Sequence, residues 1–518
     1  MKRVALVLAS GALTLILPAF TSGAAADSFG DLYGVNAQYV FGEPVQDWDP
    51  QLSAMSAGGL QLVRSDARWS VVEPSPPTAG GHRYQWSTYD PVVQALAQHG
   101  LRWYPVLHDS PTWAAVGAGD VSPATAHLGD FAAFAAALAA RYGHGGSFWE
   151  SHPSLSPLPV TDYEIWNEEN SSVFWQSQAD APERYADLYA ASRQAIKGVD
   201  PAARVVVGGL ALDNPPDVSD ELQFLARMFA HRPDLRGAVD GVGLHPYQAS
   251  VGDTYARIAR VRQAIDQLAG PGVPIDVTEV GWTTTTVPDA ARAADLSALA
   301  TTLPRSDCGI DRLLPYAWTT RESDPSNSED WFGIWNADGS PKPSGLAYVN
   351  AVQAMRGLSG AAAPTGTVSL CASAASSPAR AMSKKGPRLD LRARAGRRKR
   401  TLKVVARCPA GCSLTLELVR RRGGRRQVLA HSAAKFGSRR RHITLRTRLR
   451  AHRIQLRAVA IGAGGGRTTK VQHRQAPLAP GTRAPVRAPG RGGPRRAAGA
   501  TGRYGAGRAN TIGGKYAG

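Results

Sequence analysis

Residues 162–170 read DYEIWNEEN and put three glutamates, Glu164, Glu168 and Glu169, within six positions, beside Trp166 and Asn167. A carboxyl group gives or takes a proton, or attacks as a nucleophile, when its surroundings set its charge state. An Asn-Glu pair alone is ordinary on a solvated loop. A second carboxylate placed opposite would change that, and IDVTEVGW at 275–282 offers Glu279 at the end of another apolar run. Other run ends carry functional side chains too: Arg64 in LVRSD, His108 in VLH, His245 and Tyr247 in GLHPY, and Trp318 in PYAW. No His, Asp and Cys cluster has the spacing of metal ligands, and no G-x-S-x-G elbow supplies a serine nucleophile. The chemistry offered is carboxylate acid–base and nucleophilic work that asks for no cofactor.

The elements that must position these groups form a regular series. Eight short β-rich runs follow one another between about 30 and 357: YGVNAQY, LQLVRSD, RWYPVLH, VTDYEIWN, ARVVVGGL, VDGVGLH, PIDVTEVGW and DRLLPYAW. Between them lie segments such as LGDFAAFAAALAARYG and TYARIARVRQAIDQLAG, whose apolar residues recur every three or four positions before a terminal Gly. Eight strands alternating with helices predict a (β/α)8 TIM barrel over 27–357. An open doubly wound sheet is the alternative, but no Gly-rich phosphate loop follows the first strand.

In such a barrel the reacting groups gather at the C-terminal ends of the strands, which is where Glu168 and Glu279 fall. Neighbouring residues of a regular strand point to opposite faces, so the fourth strand must end or bulge for Asn167 and Glu168 to share the mouth. Two carboxylates across a barrel mouth are what cleavage of a glycosidic bond requires, one to protonate the leaving oxygen and one to attack or to activate water.

On these motifs the chain resembles the retaining (β/α)8 glycoside hydrolases, a superfamily with cellulase-like, mannanase-like and xylosidase-like families. The resemblance spans about 30–357. It implies Glu168 as acid/base, Glu279 as nucleophile, and Asn167 as the partner of the sugar hydroxyl beside the reacting carbon. It also implies Arg64 near the nucleophile, His108 and His245 at the site, Tyr247 as a donor to Glu279, and Trp318 as the floor under the sugar. Many relatives read N-E-P where this chain has Glu169, which is expected to point to solvent. Glu164, four residues before the strand end, is expected inside the barrel or in an ion pair. Trp113, Trp175, Trp282 and Trp331 follow strand ends and are candidates for sugar-stacking platforms. A non-catalytic carbohydrate- or wall-binding protein and a transglycosylase are the alternatives for a chain with this pair.

The flanks are different in kind. Lys2 and Arg3 precede a short apolar run and Ala24–Ala26, the pattern of a secretory signal peptide over 1–26, so the protein is expected to be secreted or cell-wall associated, with no transmembrane segment. Residues 358–400 read as a linker, 401–475 as a small antiparallel β-sandwich from runs such as TLRTRL, and 476–518 as a disordered Arg/Gly/Pro-rich tail. Residues 380–518 hold 37 of the 60 Lys and Arg but only two acidic residues, Asp390 and Glu417, and none of the 12 Trp. That excess attracts polyanions; with an export signal and almost no aromatics, an anionic cell-envelope polymer is the expected partner rather than nucleic acid, the alternative being a solvated arginine-rich surface with no partner. The four Cys predict one or two disulfides, Cys408–Cys412 being the expected local pair.

Overall fold

The computed structural model describes residues 30–117, 121–176, 178–211, 220–360 and 363–372, and then 389–395, 401–407, 412–422, 425–436, 441–446, 453–461 and 467–475. The expected signal peptide, Cys408 with its expected disulfide, and the tail 476–518 lie outside the described residues.

Eight parallel strands follow chain order around one sheet: β1 (Gly34–Asn36), β2 (Leu62–Arg68), β3 (Arg102–His108), β4 (Asp162–Asn167), β5 (Arg204–Ala211), β6 (Gly241–His245), β7 (Ile275–Val277) and β8 (Ile310–Leu313). Each falls within or overlaps one of the eight runs marked in the sequence. A bridge between Tyr33 and Leu313, with the Leu313 amide on the Leu32 carbonyl at 2.9 Å, brings β8 back to β1. The barrel expected from the sequence is the fold observed.

One long helix follows each strand: α1 (Trp48–Ala57), α2 (Asp90–Gln98), α3 (Leu128–Tyr142), α4 (Ala181–Val199), α5 (Glu221–His231), α6 (Val251–Leu268), α7 (Asp289–Thr302) and α8 (Pro343–Met355). Their apolar stripes cover the outer face of the sheet; in α3, Leu128, Phe131, Phe134, Ala135 and Leu138 are buried at helical spacing. The strands are therefore enclosed on both sides, which is why β5 reads RVVVGGLA rather than alternating with polar residues.

The two ends of the barrel are built differently. Near the strand N-termini, Arg204 pairs with Asp162 and lies 3.1 Å from Asp276, Arg312 reaches Asp162 at 3.1 Å, and the Tyr104 hydroxyl donates to Asp276 at 2.9 Å. These buried carboxylates and partly buried arginines pair with one another and plug that end. The C-terminal mouth holds the groups singled out for chemistry.

The first compact unit continues past the boundary expected at 357. Cys308 and Cys371 form a disulfide across 63 positions, and the Asp307 carboxylate accepts from the amides of Leu370, Cys371 and Ala372. Closing a loop of that length stabilises a fold by about 4 kcal/mol in the chain-entropy account. A second unit contains two antiparallel sheets: β9 (Asp390–Ala395), β10 (Thr401–Arg407) and β13 (Arg441–Arg446) in the order 13-10-9, and β11 (Cys412–Arg422), β12 (Arg425–Phe436), β14 (Arg453–Ile461) and β15 (Arg467–Gln475) in the order 12-11-14-15. Leu391, Leu402 and Val404 of one sheet share a core with Leu414, Leu416 and Leu456 of the other, so the unit is a sandwich. Its first strand lies before residue 401, in the stretch expected as linker. Among the described residues no helix is long and apolar enough to cross a membrane.

Candidate active site

Asn167 is the last residue of β4, and the chain then leaves the strand abruptly. Trp166 and Glu168 take positive φ angles of 73° and 47°, a region that costs a non-glycine residue about 1–2 kcal/mol. The Trp166 indole is locked in place by its Nε1 donating to the Phe174 carbonyl at 3.0 Å. The irregular backbone does what a regular strand cannot: it brings Asn167 and Glu168 to the same mouth.

Arg64 on β2 organises the centre. Its Nε donates to Glu164 Oε2 at 2.6 Å, Nη1 to Glu279 Oε1 and Asn36 Oδ1 at 2.7 Å each, and Nη2 to Asn167 Oδ1 at 2.9 Å. Burial works against its charge, but Glu164 and Glu279 more than offset this and hold its pKa above the ordinary value. A permanent donor facing Asn167 fixes that amide: oxygen toward Arg64, Nδ2 free to donate into the mouth. Glu164 is fully buried and also accepts from Thr278 Oγ1 at 3.0 Å. It is the interior ion-pair residue expected.

Glu279 follows β7. Tyr247 donates its hydroxyl to Glu279 Oε2 at 2.8 Å, so both oxygens of Glu279 are held as acceptors. Burial first, then the charge of Glu279, hold the Tyr247 phenol well above its usual pKa, which keeps it a donor. On the other side, His245 Nδ1 lies 2.8 Å from Glu168 Oε1 and 3.6 Å from Glu279 Oε2. Arg64 Nη2 approaches His245 Nε2 at 3.5 Å; since a guanidinium only donates, Nε2 is the acceptor and Nδ1–H donates to Glu168. Room for this ring comes from Gly209 on β5, where a Cβ would stand 2.0 Å from His245 Nε2. Single oxygens of Glu168 and Glu279 and a His245 nitrogen all lie within 4.8 Å of one another. Those three atoms could in principle hold a cation, but both Glu279 oxygens already face donors, one of them a fixed positive charge. Asp307, Cys308 and Cys371 also cluster, with both sulfurs spent in the disulfide.

Three expectations need correction or redirection. Trp318 is fully buried, stacks on Trp335 with ring centres 4.4 Å apart, and donates to Gln51 at 2.8 Å, so no face is open to a sugar. The aromatic at the mouth after β8 is Tyr316, two residues earlier and partly exposed. Glu169 does not reach solvent. It is fully buried with neither oxygen hydrogen-bonded, and its Oε2 lies where a Cβ on Gly208 would come within 2.5 Å. Burial, with Glu164 and Glu168 nearby, holds its pKa well above the ordinary range. His108 ends β3 as expected but turns toward Asp66, 3.3 Å from Nε2. Of the other tryptophans, Trp175 and Trp282 are buried, while Trp113 and Trp331 stay half-buried.

Two mouth residues escaped sequence reasoning: Tyr316, and Glu329 in the loop between β8 and α8. The Tyr316 hydroxyl lies 3.3 Å from Glu329 Oε2 and 3.3 Å from the Tyr39 hydroxyl. Burial first, then the charges of Glu279 and Glu168, push the Glu329 carboxyl up from its ordinary 4.5 to about 7.

No family model matches the chain. Among curated proteins, a β-amylase of Niallia circulans is 30% identical over 66 residues, 12% of this chain and 11% of the amylase; the chain therefore matches only a small part of that relative. Among solved structures, a monomeric β-xylosidase from Caulobacter crescentus CB15 is 17% identical, with 81% of this chain and 94% of that one covered at a TM-score of 0.49. A GH39 enzyme from Xanthomonas axonopodis pv. citri is 18% identical over 82% and 93% at 0.47, and an endo-β-1,4-mannanase from Thermotoga petrophila 12% over 86% and 97% at 0.43. At TM-scores below 0.5 these likenesses add nothing to the barrel that the strand order already displays.

Proposed function

We propose that the protein is a retaining glycoside hydrolase acting on an O-glycosidic bond of an oligo- or polysaccharide. The observation that carries this reading is the approach of Glu168 and Glu279 oxygens to within 4.8 Å at the C-terminal mouth of the barrel. Inverting enzymes need about 6.5–9.5 Å between carboxyl groups to admit water, whereas direct attack needs about 5 Å. In the first step a Glu279 oxygen attacks the anomeric carbon while Glu168 passes its proton to the departing oxygen. That bond breaks and a glycosyl ester on Glu279 forms. Glu168, now a carboxylate, takes a proton from water as the water oxygen displaces Glu279 and restores it.

The remaining groups support these roles. Tyr247 and Arg64 aim the attacking carboxylate, His245 orients Glu168, and the free Asn167 amide is placed to hold a sugar hydroxyl beside the reacting carbon. Export fits the presence of the Cys308–Cys371 disulfide, which persists in oxidising compartments. The test is sugar release from a panel of β-linked glycans by the parent chain and by Glu279→Ala. A transglycosylase would use the same residues and is separated by its products, longer glycans in place of free sugar.

A further inference from the structure

Glu329 has no part in the double displacement, yet it faces the same mouth. Its carboxylate accepts from Tyr316 at 3.3 Å, and the Tyr316 ring stands edge-on to Tyr247 at 6.4 Å and to Phe332 at 5.4 Å. Tyr247 in turn bonds Glu279 at 2.8 Å. Glu329 is thus linked through Tyr316 and Tyr247 to Glu279, and the charges of Glu279 and Glu168 bear on its carboxyl. The guanidinium at the centre, Arg64, is already divided among Glu164, Glu279, Asn36 and Asn167. Asp330 is buried behind Glu329, and Arg321 is exposed on the solvent side near Tyr39. The space left for a sugar is acidic on several sides and has no buried cation to spare among the described residues.

We infer that Glu329 is a specificity-determining residue of this site, which takes neutral or amino-bearing sugars and refuses sugars that carry a carboxylate. The inference rests on the glycosidase reading and names the substrate class of the same mouth. A uronate would bring a further negative charge into a shielded space where like charges repel strongly. A neutral sugar hydroxyl can donate to or accept from Glu329, and an ammonium group gains a charged partner there. When protonated, Glu329 is a donor as well as an acceptor, so the selectivity against uronates should sharpen as it ionises near pH 7.

The test compares aryl β-glycosides with one leaving group: the xyloside, glucoside and mannoside, the glucuronide, and the 2-amino-2-deoxyglucoside. The parent is expected to show a kcat/KM for at least one neutral or amino sugar a hundredfold or more above that for the glucuronide. Glu329→Gln should shrink that ratio at least tenfold at pH 8 and less at pH 5. A glucuronide used as well as the neutral sugars, or a ratio unchanged in the variant, overturns the inference. Binding separates this failure from failure of the glycosidase reading, because it needs no turnover. With glucosamine, glucose and glucuronate as probes at pH 8, the melting temperature of the parent should rise with glucosamine and not with glucuronate, and Glu329→Gln should lose that difference. If no glycoside is cleaved but this pattern holds, only the hydrolytic reading falls; if glycosides are cleaved but no Glu329-dependent preference exists, only the charge selectivity falls.

Discussion

Gly209 lies so close to His245 that a Cβ on the glycine would fall 2.0 Å from the imidazole Nε2. His245 is fully buried and donates from Nδ1 to Glu168, so the missing side chain on β5 is what lets β6 orient the Glu168 carboxyl. Gly208, one residue earlier, turns to the opposite face, where a Cβ would meet Glu169 Oε2 at 2.5 Å. The Gly-Gly pair within β5 makes room for a histidine inside the barrel and a glutamic acid outside it.

Gly209→Ala should therefore displace the His245 ring and release Glu168. The expected outcome is a fall in kcat of tenfold or more with a smaller change in KM, together with overpacking that costs about 1–3 kcal/mol of stability. Steady-state kinetics on the best substrate, with denaturant unfolding alongside, measures both. Unchanged kcat in a folded variant would mean that His245 does not govern Glu168.

Glu169 predicts an unusual pH dependence of stability. An unfolded chain loses a glutamate proton near pH 4.3, while burial holds the folded carboxyl protonated to a higher pH. Between those values the folded state binds more protons than the unfolded one, so this group lowers stability as pH rises through the window, by at most about 1.4 kcal/mol per pH unit. Glu169→Gln, which copies the neutral form, should unfold much like the parent near pH 4 and be progressively more stable than it toward neutral pH. Melting temperatures across pH 4 to 8 check this; parallel curves for the two proteins would contradict it.

Tyr316 and Trp318 should separate cleanly. Trp318 has its indole stacked on Trp335 and its Nε1 bonded to Gln51, so Trp318→Ala should cost about 3–5 kcal/mol of stability. Tyr316→Ala removes a partly exposed ring at the mouth and should raise KM several-fold at a smaller cost in stability. Paired kinetic and unfolding measurements decide it, and the reverse pattern would restore Trp318 as the sugar platform.

The strands were legible because a parallel barrel buries both faces, leaving eight apolar runs with helical segments between them. Glu168, Glu279, Asn167, His245 and Tyr247 were legible because each stands at or just beyond the end of such a run, and Arg64, inside β2, through the family resemblance; the structure brings the six together. What failed lay beyond strand parity. β8 stops at Leu313, so nothing in PYAW tells which of its two aromatics faces the mouth. Glu169 looked like a solvated charge because its cover includes Gly208, 39 residues on. Glu329 sits in NSEDW, a loop with no periodicity, and only the return of that loop over Tyr316 brings it to the site. The Cys308–Cys371 bond joins residues 63 apart, a pairing that four cysteines in a sequence leave open.

The central claim is that Glu279 forms the bond to sugar and Glu168 moves the proton. It is tested most directly by product release from a panel of β-linked glycans and aryl glycosides, with Glu279→Ala and Glu168→Ala beside the parent. The account predicts that the parent cleaves at least one substrate with the anomeric configuration of the product retained, and that Glu279→Ala loses that activity by several orders of magnitude. Glu168→Ala should lose least on substrates whose leaving group needs no proton. Equal activity in the parent and Glu279→Ala, or a product of inverted configuration, would contradict it.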